Sequence, residues 1–242
     1  MQPTPVPHST FVLVPGFWLG AWAWDAVATD LRARGHDALA LTLPGLDPSD
    51  PERASRTLAD QVAALAEATA AARARGGQAV LVVHSGAGFP ASALLDRDPG
   101  AVDRVIYVDS GPSTSGEAYD ADFPAERPEL PLPEFSDLPA SVEGLSAPQL
   151  AEFRRRAVPQ PGPVIRAPLT LTNAARRAVP STVIACSFSA AELRQLAASG
   201  HPMMAELATL EDVELLDLPT GHWPMWSRAG ELAALLADTA RS

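Results

Sequence analysis

The chain has no lysine; all 18 of its basic residues are arginine. Chemistry that needs an ε-amine, such as a Schiff base or a lysine general base, is therefore closed to it. A single cysteine, Cys186, permits no intramolecular disulfide, and the five histidines show no Cys/His spacing for a metal. No apolar run reaches the roughly 18 residues of a membrane span. Met1–Ser9 is proline-rich and lacks the charged-then-apolar layout of a signal peptide. Neither a P-loop nor G-x-G-x-x-G stands at a strand–helix junction. Positive charge is scarce too: the formal net charge is −11 and the pI about 4.8. An acidic surface repels nucleic acid and anionic membranes. These absences leave an expected cytoplasmic protein that takes a small-molecule substrate and needs no cofactor or metal, its oligomeric state open.

What is present is an alternation of short apolar runs with helical patterns, the mark of βα units. The length of 242 residues, 47% of them hydrophobic, suits one α/β domain over 1–242. Strands are predicted at Thr10–Val14, Asp37–Leu41, Ala79–Val83, Arg104–Val108, Ser181–Cys186 and Asp212–Asp217. Their Val, Leu and Ile content is that of strands buried on both faces. Helices are predicted at Trp22–Arg34, Thr57–Arg75, Gly86–Leu95, Ala190–Ala198 and Arg228–Ala240, the second ended by Gly76-Gly77. The expected architecture is a six-stranded, mostly parallel sheet with helices on both faces. Between Pro112 and Pro168 the rhythm breaks, and 11 of the 24 prolines fall there with no clear strand. The stretch reads as a disordered linker or, better, as an excursion over the C-terminal sheet edge, where α/β folds bind ligands. With a helix at Ala147–Arg156 and a stiff Pro159–Pro163 connector, it is expected to form a cap insertion at about 112–178.

Leu81-Val82-Val83-His84-Ser85-Gly86-Ala87-Gly88 runs from a strand through small residues into a helix. A serine on such a turn exposes its hydroxyl above the sheet, and the Gly86 amide follows at a helix start, where N–H groups are free. The usual pattern is G-x-S-x-G; here Val83 and Ala87 stand in the glycine positions. Ser85 could instead cap the helix. A serine nucleophile needs a base. His8 lies in the proline-rich tail, His36 in a solvated helix–strand turn, His84 points elsewhere on the Ser85 turn, and His201 sits in a loop. His222, between the last strand and the final helix, remains, unless it is an ordinary loop histidine. Phe11-Val12-Leu13-Val14-Pro15-Gly16-Phe17-Trp18 is a second strand entering a glycine turn. The Phe17 amide there is a candidate second oxyanion donor, and Trp18 a candidate substrate contact.

These segments, with Gly20-Ala21-Trp22-Ala23-Trp24, Gly35-His36, Leu43-Pro44-Gly45 and Gly221-His222-Trp223, resemble the α/β-hydrolase superfamily. They are most similar to its small branch of plant methyl-ester esterases and hydroxynitrile lyases with bacterial relatives. The resemblance spans nearly the whole chain apart from the cap. It implies a Ser-His-acid triad without cofactor, in the order Ser, acid, His. Pro15 stands where the family usually has histidine, which should stiffen the turn without removing the amide. The family's usual acid follows the strand Ser181–Cys186, yet Ser189 stands there and Glu192 begins a helix. Asp109 is the better candidate, because some members carry the acid after the earlier strand; it could otherwise form an Asx-turn with Gly111. Asp217 reads as structural.

Trp22 and Trp24 read as packing, as do Trp223, Met225 and Trp226 around the histidine loop. Cys186 reads as a small hydrophobe. Arg154-Arg155-Arg156 reads as a solvated face rather than an anion clamp. The leading function is cleavage of a small carboxylic ester, thioester or lactone through an acyl-enzyme. A lyase or cyclase-type reaction on the same scaffold is a second reading, although the absence of lysine disfavours the lysine-dependent lyase version. A ligand-binding protein without catalysis is a third.

Overall fold

The structure, a computed structural model, describes residues 8–240; the proline-rich segment before His8 lies outside them. In chain order the strands are β1 (Ser9–Val14), β2 (Asp37–Ala40), β3 (Gln78–His84), β4 (Arg104–Val108), β5 (Glu129–Leu130), β6 (Gln160–Pro161), β7 (Ser181–Ala185) and β8 (Val213–Asp217). The helices are α1 (Asp25–Ala33), α2 (Leu58–Arg73), α3 (Gly88–Arg97), α4 (Ala147–Arg156), α5 (Gly162–Arg166), α6 (Ala190–Ala198), α7 (Pro224–Ser227) and α8 (Ala229–Thr239). The main sheet has the order β2-β1-β3-β4-β7-β8, and each neighbouring pair is parallel.

Alternation along the central strands builds two cores. Phe11, Leu13, Val80, Val82, Ile106 and Ile184 face α1 and α8. Val12, Val14, Leu81, Val83, Tyr107 and Val183 face α2, α3 and α6. Burying both faces is what parallel strands require. The outer strands depart from that expectation: β2 and β8 are edges, and Glu214 and Asp217 are exposed. Local chemistry sets the helix starts. Thr57 caps α2 in a reciprocal box with Asp60, and Ser189 caps α6 with Glu192, each satisfying free amides of a first turn.

Strand order explains where a site can form. From β1 the chain moves outward to β2, then crosses back over β1 to β3 and continues the other way. The connections reverse between β1 and β3, and the loops leaving these two strands part to leave a crevice at their carboxyl ends. Val14 pairs with Val83, so both strands end level. Val108 pairs with both His84 and Ile184, which brings the ends of β4 and β7 to the same edge.

The segment between β4 and β7 is ordered, not a linker, and holds α4 where the sequence predicts it. It also contains the short antiparallel pair β5–β6, which its proline content concealed. Phe153 of α4 is fully buried against Phe135, Trp223 and Trp226. The Val158 amide donates to the Trp18 carbonyl, and Arg53 pairs with Glu129. The excursion is thus anchored to the loops after β1, β2 and β8.

Candidate active site

Three residues other than glycine have positive φ among the described residues: Trp18 at 65°, Ser85 at 52° and Asp109 at 42°. Each such residue costs on the order of 1–3 kcal/mol and persists only where its surroundings enforce it. All three stand where a strand gives way to the site edge. Ser85 follows β3 directly and opens a single 3-10 turn, Ser85–Ala87, before α3. Its carbonyl accepts from Ser110 Oγ at 2.7 Å, which braces the turn from the loop after β4. The crowding is close enough to demand glycine on both sides. A Cβ on Gly16 would lie 2.7 Å from Ser85 Cβ, and one on Gly86 would lie 2.6 Å from the Phe17 ring.

The Ser85 hydroxyl does not cap α3. Ser85 Oγ lies 2.8 Å from His222 Nε2, and His222 Nδ1 lies 2.5 Å from Asp109 Oδ2. With the carboxylate accepting, Nδ1 carries the proton, and bare Nε2 accepts from the serine. Asp109 does not form an Asx-turn with Gly111. Its Oδ1 accepts the amides of Cys186 and Ser187 at 3.2 and 2.8 Å, and Oδ2 also accepts Ser187 Oγ at 2.6 Å. Burial works to raise this carboxyl's pKa, but bonding to His222, the nearby imidazole and Ser187 outweigh it, so the group lies below its ordinary value. His222 is held by its backbone as well, its amide donating to the Ser141 carbonyl of the excursion at 2.8 Å.

The structure therefore brings Ser85, His222 and Asp109 together, with the Phe17 ring against Gly86. Gly86 stands in the first turn of its helix, where amides have no partner within the helix. Trp18 is a correction. It does not line the cavity; its indole N–H donates to the Leu130 carbonyl of the excursion at 3.0 Å and its ring meets Phe17. His36 is another: it is buried, with its ring 5.4 Å from Phe11. Ser189 and Glu192 cap α6, and Asp217 accepts the Ala190 amide at 2.6 Å. Arg154 and Arg156 lie over Phe135 and Trp22, Arg155 pairs with Glu152, and none reaches the cavity. Cys186 is buried, and burial followed by the nearby Asp109 charge pushes its thiol pKa up, away from reactivity.

A cavity of about 720 Å³ opens over Ser85, Asp109 and His222. One side comes from the excursion through Tyr119, Pro139 and Ala140; the other comes from Phe188, Leu193 and Met204. No arginine among the described residues lines it. Tyr119, Phe188 and Met203, the large hydrophobic side chains exposed among the described residues, all line its walls.

Sequence reasoning missed His84. It is buried, its Nδ1 accepts the Gly16 amide at 3.3 Å, and its Nε2–H donates to the His222 carbonyl at 2.7 Å. Burial, then the neighbouring His222, pushes its pKa down from the ordinary 6.5 to about 3. The consequence for stability has a definite sign. Below 6.5 the unfolded chain binds a proton at this ring and the folded chain refuses it until about 3, so His84's contribution is complete above 6.5 and is lost through that window as the pH falls. Asp109, also lowered, acts in the same direction at lower pH. Thermal melts from pH 7.5 to 4 should show a falling Tm in the wild type and a shallower fall in His84→Gln. An equal slope in both would contradict this account.

Among the described residues no helix is long and apolar enough to cross a membrane. In comparisons with known proteins, a 100-residue segment is 37% identical to Esterase PIR7B of Oryza sativa subsp. japonica, covering 40% of this chain and 37% of that one. The same length is 33% identical to Methylesterase 7 of Arabidopsis thaliana, covering 40% and 38%. The matched part thus spans well under half of these plant relatives. An extracellular alpha/beta-hydrolase from Paenibacillus species, described as sharing structural and functional homology with tobacco Salicylic Acid Binding Protein 2, superposes with a TM-score of 0.75 at 20% identity, over 97% of this chain and 100% of its own. The alpha/beta hydrolase family model matches residues 11–235, nearly the whole length from β1 into α8, and the chain belongs to that family.

Proposed function

We propose that the protein hydrolyses uncharged carboxylic esters through an acyl-enzyme formed on Ser85. The observation that carries this reading is the unbroken hydrogen-bonded chain from Ser85 Oγ through His222 to Asp109 at 2.8 and 2.5 Å. Ser85 attacks the ester carbonyl as His222 Nε2 takes its proton, and the Gly86 and Phe17 amides stabilise the oxyanion. His222 then protonates the departing alcohol. Water, deprotonated by the same nitrogen, attacks the acyl-enzyme and frees the acid. Asp109 holds the tautomer and balances the imidazolium without accepting its proton. The excursion encloses this chemistry as a cap, with Ser141 tying it to His222.

The cavity argues for the substrate's character. Its volume suits a drug-sized molecule, larger than the small ester that the sequence led us to expect. Aromatic and methionine side chains line it, and its carboxylates are Asp109 and Glu117. An anionic substrate would find no arginine there among the described residues, and the newly formed carboxylate product meets the carboxylates of Asp109 and Glu117. With p-nitrophenyl esters, release of p-nitrophenol should show a burst, and the Ser85 peptide should gain the mass of the acyl group. From acetate to octanoate, kcat/KM should rise by up to about fourfold per methylene, the equivalent of about 0.8 kcal/mol for each one buried. A monoester of a dicarboxylic acid of equal length should be the poorer substrate. A flat chain-length profile, or preference for the charged ester, would remove the substrate assignment.

A further inference from the structure

His84 is the last residue of β3, and its neighbour in sequence is Ser85. Its imidazole reaches the Gly16 loop after β1 on one side and the His222 loop after β8 on the other. These partners lie 68 and 138 residues away in sequence. The ring also packs against the His222 ring, with centroids 4.7 Å apart. Gly16 precedes the Phe17 amide, and the His222 carbonyl belongs to the residue that bonds Ser85. We infer that His84 is a positioning residue, a tie that holds the oxyanion loop and the histidine loop in register with each other across Ser85.

The choice of side chain follows from the bonding. A neutral imidazole offers one acceptor and one donor on separate positions of a rigid ring. The Gly16 N–H needs a bare Nδ1, which leaves the proton on Nε2, aimed at the His222 carbonyl. Asparagine has an amide at the depth of Nδ1 and can serve Gly16 alone. Glutamine reaches the depth of Nε2 and can serve the His222 carbonyl alone. Leucine fills the volume and serves neither. Since burial suppresses protonation until about 3, the ring keeps this tautomer while His222 gains and loses protons in turnover. With the Ser141 carbonyl on the amide of His222, His84 on its carbonyl and Asp109 on its ring, the His222 side chain has little freedom to leave the serine.

The inference rests on the roles proposed for Ser85 and His222, and its test separates the two. His84→Leu, His84→Gln and His84→Asn are compared with wild type by steady-state kinetics, thermal melting and proton NMR of the downfield His222 Nδ1–H. Misplacing reacting groups by about 1 Å costs about a hundredfold in rate. His84→Leu should therefore lose about a hundredfold in kcat with KM within twofold, and its downfield resonance should shift and broaden. His84→Gln should recover about tenfold of that loss and sharpen the resonance. His84→Asn should leave the resonance broad. If Leu retains kcat within twofold, or if Leu and Gln lose the same activity with the resonance unmoved, His84 only fills space and the inference fails. Should the Leu variant not fold, the Gln and Asn pair carries the same comparison. Full activity in Ser85→Ala would overturn the underlying reading instead.

Discussion

Ser85→Ala will lose labelling by a fluorophosphonate probe completely, and its ester kcat will fall by about 10⁶-fold, the order seen when the nucleophile of a serine hydrolase is removed. The effect is large because no other hydroxyl among the described residues has this combination of base, acid and strained turn. Ser110 donates to the Ser85 carbonyl, and Ser187 to Asp109, so neither is free to replace it. Folding should survive the change, since alanine keeps the φ of 52° at the same cost as serine. Ser85→Gly removes that strain and loses part of the gain to unfolded-chain entropy. It should melt no lower than wild type while remaining just as inactive, a separation of stability from activity that is expected where strain serves a site. Labelled wild type with no turnover of any ester would redirect the assignment to a non-hydrolytic reaction on the same serine. Unlabelled wild type would end the nucleophile assignment.

How much of this was legible in the sequence differs from residue to residue. The Ser85 turn could be read because its determinants are local: a strand, small neighbours and a helix start, all within eight residues. The central strands could be read for the same reason, their ends falling within a residue or two of those expected. Asp109 was legible only through family resemblance. An Asp before Ser-Gly reads locally as a turn former, and the Ser187 donors that hold it stand 78 residues away. His84 was illegible in principle, since a histidine ending a buried strand carries no mark of which distant loops its nitrogens meet. Trp18 misled because nearness to the glycine turn does not determine direction, and the indole bonds to the Leu130 carbonyl instead. The sequence marks the excursion as a cap over the ligand-binding edge, but not the facing wall that Phe188, Leu193 and Met204 supply from beyond β7. Periodicity assigns such residues to a helix and its flanking loops without saying which cavity they border.

Asp109→Asn should lower kcat by about 10⁴-fold, as loss of the charge admits the wrong imidazole tautomer. An amide at this position can present N–H to Nδ1, which then becomes the acceptor, and Nε2–H faces Ser85 with nothing to take its proton. The loop after β7 offers a way to test whether charge or position matters. Ser187 Oγ already lies 2.6 Å from Asp109 Oδ2, the oxygen that meets His222. In Asp109→Asn/Ser187→Asp the negative charge is kept at the same sheet edge but moved to the neighbouring loop. The double variant should recover at least tenfold of the lost kcat at pH 8. Ser187→Asp alone should be impaired, because two carboxylates at hydrogen-bonding distance cannot both stay ionised and share a proton instead. Its activity should peak at higher pH than the wild type. If the double variant is no better than Asp109→Asn while its fold is intact, the requirement is for the exact cradle around residue 109, and a carboxylate merely near Nδ1 does not suffice. If Asp109→Asn keeps activity within tenfold, Asp109 is not the acid of this site.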